Sequence, residues 1–256
     1  MKKALLVGVS LTAMGFAPAF AADLPARAPA YTKAPAIVAP IYNWAGFYIG
    51  LNGGGGSSHN CWTLNAVGAG IGPIPAVGEG CNSATGGLAG GQVGYRWQMT
   101  NWVFGLEAQG DWANLKGSNT SSPAAFAPVV NQTKIDALGL FTGQVGYAWN
   151  NVLWYAKGGA AVADDKYNGT LAGVTFDQAR ETRWGGVIGT GLEFGFAPNW
   201  SVAVEYDHVF MGSHNNSFNA PALGGIFSRT DSIKQDVDMG TVRVNYTFGG
   251  PVVAKY

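Results

Sequence analysis

The sequence predicts an all-β chain, an eight-stranded antiparallel up-and-down transmembrane β-barrel, and three observations lead there. Apolar and polar residues alternate with a period of two over runs of ten residues and more, which is the pattern of a long two-faced strand. Short turns and long connections alternate strictly along the chain. Glycine supplies 39 of 256 residues while charged residues make up only 12% and aromatic residues 12%, so glycine is roughly doubled and charge roughly halved relative to a soluble domain.

The chain opens with a segment that belongs to export rather than to the fold. Met1, Lys2 and Lys3 are followed by an uncharged, mostly apolar stretch to Phe16, and Ala19-Phe20-Ala21 fits a small-x-small cleavage site. Residues 1–21 are therefore expected to be a secretory signal peptide cleaved after Ala21. Residues 22–41 carry Pro25, Pro29, Pro35 and Pro40 among alanines, which favours an extended periplasmic tether. The barrel domain is assigned to 42–256. Beyond Ile41 no stretch of 18 apolar residues occurs, so a helical span is not expected. Cys61 and Cys81, 20 residues apart in an exported chain, are expected to form a disulfide. A metal site with His59 lacks enough ligands.

Eight strands are read near 45–55, 86–97, 102–115, 135–149, 152–163, 182–196, 200–211 and 237–248. In the third, Trp102, Phe104, Leu106, Ala108 and Trp112 share one face while Gly105, Glu107, Gln109 and Asp111 share the other. The seventh opposes Val202, Val204, Tyr206 and Phe210 to Ser201, Ala203, Glu205 and Asp207, and the eighth opposes Val242, Val244, Tyr246 and Phe248 to Thr241, Arg243, Asn245 and Thr247. The string GQVGYRW at 91–97 returns as GQVGYAW at 143–149, and GLEFGF at 191–196 is a third version. Each runs into a tight turn, so three hairpins repeat at about one spacing. The segments 57–84, 117–133, 164–180 and 212–235 are read as long loops, all at one end. That asymmetry is the layout of a bacterial outer-membrane barrel.

A soluble periplasmic lipocalin-like binding barrel is the alternative that alternation alone leaves open. Strand length favours the membrane, because these runs match the 9–11 residues a tilted spanning strand needs. Aromatic residues gather at strand ends near the short turns: Trp44, Phe47, Tyr95, Trp97, Trp102, Tyr147, Trp149, Trp154, Phe194, Phe196, Trp200, Tyr246 and Phe248. This is the distribution of an interfacial girdle. The opposite face carries Arg96, Glu107, Asp111, Asp136, Lys157, Arg183, Glu193, Glu205, Asp207 and Arg243. They are expected to form a luminal charge network, since an eight-stranded barrel is filled by its own side chains. Structural satisfaction of a polar core is the first reading of that network, and a gate or narrow ion path the second.

At this point the chain resembles the small outer-membrane proteins of rhizobia and Brucella, the RopB-type surface antigens, within the wider group of OmpA-like eight-stranded barrels. The residues that carry the resemblance are YNWAGFYIGLNGG at 42–54, the two GQVGY strings, FAPNW at 196–200 and RVNYTF at 243–248. The resemblance implies an integral protein of the cell outer membrane with a structural, envelope-integrity and surface-contact role, alongside which weak porin-like passive diffusion stands as an expectation. It also implies recognition by the barrel-insertion machinery through a final amphipathic strand. Val242, Val244, Tyr246 and Phe248 are the expected insertion signal, although 249–256 follow Phe248 and Tyr256 is the other aromatic that could end it.

The rival from another class is an outer-membrane lipid-modifying hydrolase. Only His59, His208 and His214 exist; His59 and His214 fall in expected loops with Ser57, Ser58 and Ser213 nearby, which is common loop composition, and His208 has no serine two residues on, so no catalytic, cofactor or metal residues are expected. With 15 basic against 15 acidic residues and no basic run, nucleic acid is not an expected partner. Outer-membrane lipids and lipopolysaccharide are. The apolar segments 66–78 and 123–130 are either self-packed or contacts for a surface partner.

Overall fold

The computed structural model describes residues 42–68, 70–121 and 129–249. The expected signal peptide at 1–21, the tether at 22–41, most of the apolar segment 123–130 and the tail that ends in Tyr256 lie outside the described residues. Eight strands are present: β1 (Gly46–Val67), β2 (Gly72–Met99), β3 (Trp102–Thr120), β4 (Val130–Trp149), β5 (Val152–Leu171), β6 (Val174–Ala197), β7 (Trp200–Ala220) and β8 (Ile226–Phe248). Each pairs antiparallel with its sequence neighbours, and β8 returns to β1, so the sheet closes in the order β1 to β8.

The register fixes the tilt of the strands. Following paired residues from Phe47 through Tyr95, Leu106, Gly143, Gly158, Ile188, His208 and Asp238 leads back to β1 at Ser57, ten residues above the start. A shear of this size on eight strands tilts them by about 40°, so each residue climbs about 2.5 Å along the barrel axis.

The three short turns follow from local chemistry. Thr100, Asn150 and Asn199 all adopt positive φ, at 57°, 54° and 69°. Asn tolerates this conformation well, and Pro198 before Asn199 has the order of a type II turn. At the opposite end Ala172 and Gly173 both have positive φ (48° and 81°), the requirement of a two-residue type I′ hairpin.

The strands extend far past the expected limits. Of the segments read from sequence as loops, 57–84, 164–180 and 212–235 are mostly strand, and 117–133 is strand at its two ends, 117–120 and 130–133; among the described residues, 172–173 and 221–225 remain as connections at this end. One holds a single 3-10 turn, Pro221–Leu223, ended by Gly224 at φ 76°. The physical reason lies on the outer surface of the upper strands, which bears no apolar girdle. Their outer faces are then as polar as much of the lumen, and apolar alternation, the cue for the lower half, disappears.

The outer face of the lower half is apolar and aromatic. Phe47, Tyr95, Trp97, Trp102, Trp149, Trp154, Phe194, Phe196, Trp200 and Phe248 are all exposed there beside the turns. Neighbouring rings pair across strands, as Trp102 does with Tyr147 (5.5 Å, edge-on) and Trp200 with Tyr246 (5.1 Å). Trp44 departs from the expected girdle. It is 1% exposed and sits in the barrel mouth against Tyr42, Val103, Ala148, Leu153 and Tyr155. Its backbone N–H donates to Gln98 Oε1 (2.9 Å) and its indole N–H to the Asn150 carbonyl (3.3 Å), so it caps the lumen from below.

Cys61 and Cys81 form the expected disulfide, at paired positions of β1 and β2. It staples the upper part of the first hairpin. Replacing both cysteines by serine is expected to cost up to about 3 kcal/mol by loop entropy. Because the link sits above the apolar girdle, the loss is local. Limited proteolysis should gain cuts between residues 60 and 82 while the heat-modifiable band on SDS gels persists. An unchanged cleavage pattern would show that the staple holds nothing in place.

Candidate functional site

The lumen is the site, and it is filled in layers. Moving up from the turns, the first layer is the aromatic cap of Trp44 and its neighbours. Above it lies the charged layer. Period-two alternation points every second residue inward, which brings Tyr48, Arg96, Glu107, Lys157, Glu193, Glu205, Asp207 and Arg243 together, each almost wholly buried.

Burying a charge is costly unless it is paired and hydrogen-bonded; every charge of the layer is ion-paired, while Asp207 Oδ2, Arg96 Nε and Arg243 Nε are left without a hydrogen-bond partner. Arg243 bridges Glu107 and Glu205 through its two terminal nitrogens. Lys157 Nζ contacts Glu205 (2.7 Å), Asp207 (3.2 Å) and Glu107 (3.6 Å). Tyr48 donates to Glu107 and Tyr155 to Glu205, each at 2.6 Å. Arg96 binds Glu193 (2.8 Å), with its guanidinium 4.4 Å from the Tyr48 ring centre. Glu193 also accepts from Ser201 and from Asn245 (2.9 Å). Amides tie the strands together beside these pairs: Gln92 donates to Asn245 (2.7 Å) and Asn52 to Gln92 (3.0 Å). Asp111 is at the edge of the layer, accepting from Gln109 (2.8 Å).

Above the charges the lumen turns apolar. Leu88, Leu115, Ile135, Leu138, Leu140, Ala161, Ala163, Val187, Val209, Met211, Val237 and Met239 pack as one buried cluster contributed by β2 to β8. A second polar layer follows. There Arg183, wholly buried, binds Glu181 (3.0 Å) and donates to the Ile233 carbonyl (3.1 Å). Trp62, Tyr167, Phe218 and Ile233 then form an aromatic layer. At the top Arg229 reaches Glu79 and Asp177, both at 3.0 Å, and Asp231 at 3.2 Å. Here, outside the bilayer, burial pushes the Asp231 carboxyl up to about 8, against the pull of Arg229. At Glu181 burial is the largest single influence and raises the carboxyl, but the Arg183 charge together with hydrogen bonds from Arg183, His214 and Asn216 lowers it on balance.

Of the ten residues assigned from sequence, seven meet in the charged layer, Asp111 borders it, and Arg183 lies inward but above the apolar layer. Asp136 is a correction. The ladder shifts register between Ile135 and Ala137, and this bulge puts Asp136 on the outer surface between Lys134 and Lys166, to which it is ion-paired. Simple alternation cannot see an inserted residue. Sequence reasoning also passed over Tyr48, Tyr155 and the amides, although each falls on the same parity as the charges, and it missed Glu79, Asp177, Arg229 and Asp231 by reading their strands as loop. The insertion-signal residues Val242, Val244 and Phe248 face outward on β8.

His59 and His214, expected on loops, are on β1 and β7, and His208 is on the outer face of β7. His208 Nδ1 contacts Asp238 (2.6 Å) and His214 Nδ1 contacts Glu181 (2.7 Å). Among the described residues no serine hydroxyl is bonded to any of the three rings.

Comparison with known proteins agrees with this geometry. The family described as outer membrane protein beta-barrel domain matches residues 8–248. The chain belongs to the outer-membrane β-barrel family. Within it, the chain is 29% identical to the 31 kDa outer-membrane immunogenic protein of Brucella melitensis, over 97% of this chain and 100% of that protein. It is 30% identical to the 25 kDa outer-membrane immunogenic protein of Brucella abortus, over 95% and 97%. Among solved structures it is similar to Neisserial surface protein A, at 14% identity, with a TM-score of 0.37 and coverage of 80% of this chain and 98% of that one. As a member of this family it is an outer-membrane protein, and the apolar girdle is its lipid-facing surface.

Proposed function

We propose that this outer-membrane barrel is a sealed, non-enzymatic structural protein of the envelope, exported through cleavage after Ala21 and inserted by way of its last strand. The observation that carries the reading is the apolar layer around Leu115, Ile135, Leu140, Val209 and Val237, which separates the two polar layers of the lumen. An ion crossing it would lose its hydration with no polar partner to replace it. Weak passive diffusion requires a continuous polar path, and among the described residues that layer interrupts the polar lining of the lumen. Among the described residues the three histidines have no serine hydroxyl as a partner, which supports a non-hydrolytic role. The upper strands carry a polar surface beyond the bilayer, suited to envelope or host contact.

Planar-bilayer recording tests the proposal. Refolded protein, verified by its heat-dependent shift on SDS gels, is expected to give no resolved conductance steps. Reproducible ohmic channels from the same folded sample would overturn it.

A further inference from the structure

The outer surface of β3 to β6, just above the lipid-facing girdle, carries four cations on adjacent strands in register. Lys116 pairs with Lys134, Lys134 with Lys166, and Lys166 with Arg180. Like charges directly opposite one another destabilise a sheet, so folding alone does not select this row. Asp136 answers part of it by pairing with Lys134 and Lys166, and Asp164 lies 4.0 Å from Arg180. Four bases against two acids leave the patch net positive.

The rows on either side complete the pattern. One step up, Ser118, Gln132, Asn168, Gln178 and Asn219 are also in register, a continuous row of hydroxyl and amide groups. Below the cations stand Trp112 (79% exposed), Phe141 and Trp184, the last two stacked at 6.5 Å. Four residues separate Trp112 from Lys116 and Trp184 from Arg180, about 10 Å along the axis at this tilt. On the far side of the barrel the same zone carries two acids, Asp236 and Asp238, against one base, Lys234, all on β8, and Asp238 accepts from Tyr206 (2.6 Å).

We propose that the β3 to β6 exterior docks an anionic glycolipid of the outer leaflet. Its acyl chains lie on Trp112, Phe141 and Trp184, its phosphates or carboxylates meet the row from Lys116 to Arg180, and its sugar hydroxyls meet the amide row. Charge complementarity and the vertical order of apolar, cationic and amide rows match the order of groups in such a lipid, and no soluble anion needs the aromatic row. The inference rests on the outer-membrane reading and adds a lipid partner to it.

The test uses the full-length mature protein, refolded in neutral detergent, with purified lipopolysaccharide bearing phosphorylated lipid A as the probe and co-elution and tryptophan fluorescence as readouts. The variant with Lys116→Gln, Lys134→Gln, Lys166→Gln and Arg180→Gln is expected to bind at least about tenfold more weakly, and raised salt should weaken the parent in the same direction. Lys234→Gln, on the far side, is expected to bind as the parent does. If the fourfold variant loses its heat-modifiable band, Lys134→Gln alone replaces it, with an expected loss of a few-fold. Equal binding by parent and folded variants overturns the proposal, as does displacement of the lipid by equimolar pyrophosphate, which would reveal a simple anion site. Conductance measured on the same preparations reports separately on the sealed-barrel reading.

Discussion

Arg243→Ala is expected to cost about 3–5 kcal/mol of barrel stability, the range for removing one partner of a buried ion pair. Arg243 is fully buried and binds Glu107 and Glu205 at once. Without it both carboxylates stay in the lumen, sharing only Lys157 and the hydroxyls of Tyr48 and Tyr155. The urea midpoint for unfolding from detergent or bilayer should fall, and the temperature at which the compact band disappears on SDS gels should fall with it. Combining Arg243→Met with Glu107→Gln and Glu205→Gln should recover most of the loss, because the uncompensated charge is then gone. An Arg243→Ala barrel as stable as the parent would mean that the charged layer contributes nothing to holding the lumen together.

The second large effect concerns space. Gly94 faces the lumen between Tyr48 on β1 and Glu107 on β3. A Cβ there would stand 2.6 Å from the Tyr48 phenol carbon and oxygen and from the Leu106 carbonyl, closer than side-chain carbons come to anything in folded proteins. Gly94→Ala must therefore push Tyr48 aside and weaken its bond to Glu107, at a cost of about 2–3 kcal/mol. Gly110→Ala is the matched control, since its Cβ would meet nothing within 4 Å. It should be neutral or slightly stabilising. Equal stability of the two variants in the same urea titration would contradict this packing.

The lower half of the barrel was legible in the sequence because the bilayer imposes a strict contrast between its two faces. Val242, Val244, Tyr246 and Phe248 against Thr241, Arg243, Asn245 and Thr247 is the clean separation that a strand between lipid and lumen keeps over its whole length. Above the bilayer water touches the outer face, and the contrast that marks a strand is lost; hence 57–84 and 212–235 read as loops although Trp62 and Phe218 point inward within them. Asp136 was misplaced for a different reason, since a bulge reverses parity without any residue type that announces it. Trp44 was misplaced because composition cannot tell an interfacial tryptophan from one that turns into the barrel mouth. The charged layer was largely legible, its hydroxyl and amide partners less so, because neutral polar residues occur on both faces above the membrane.

The seam between β1 and β8 also bears on how the barrel comes to exist. It joins Phe47 to Phe248, nearly the two ends of the described chain, and it runs from there to Val67 and Arg229. Every other strand pair is local in sequence, so the chain can zip up seven hairpin contacts cheaply and must then meet one loop-closure cost that spans the whole domain. Until that moment two unpaired edges would face hydrocarbon, where each open backbone group is severely penalised. Assembly is thus a single late commitment, and catalysis of insertion has most to gain by holding the last strand until the first one arrives.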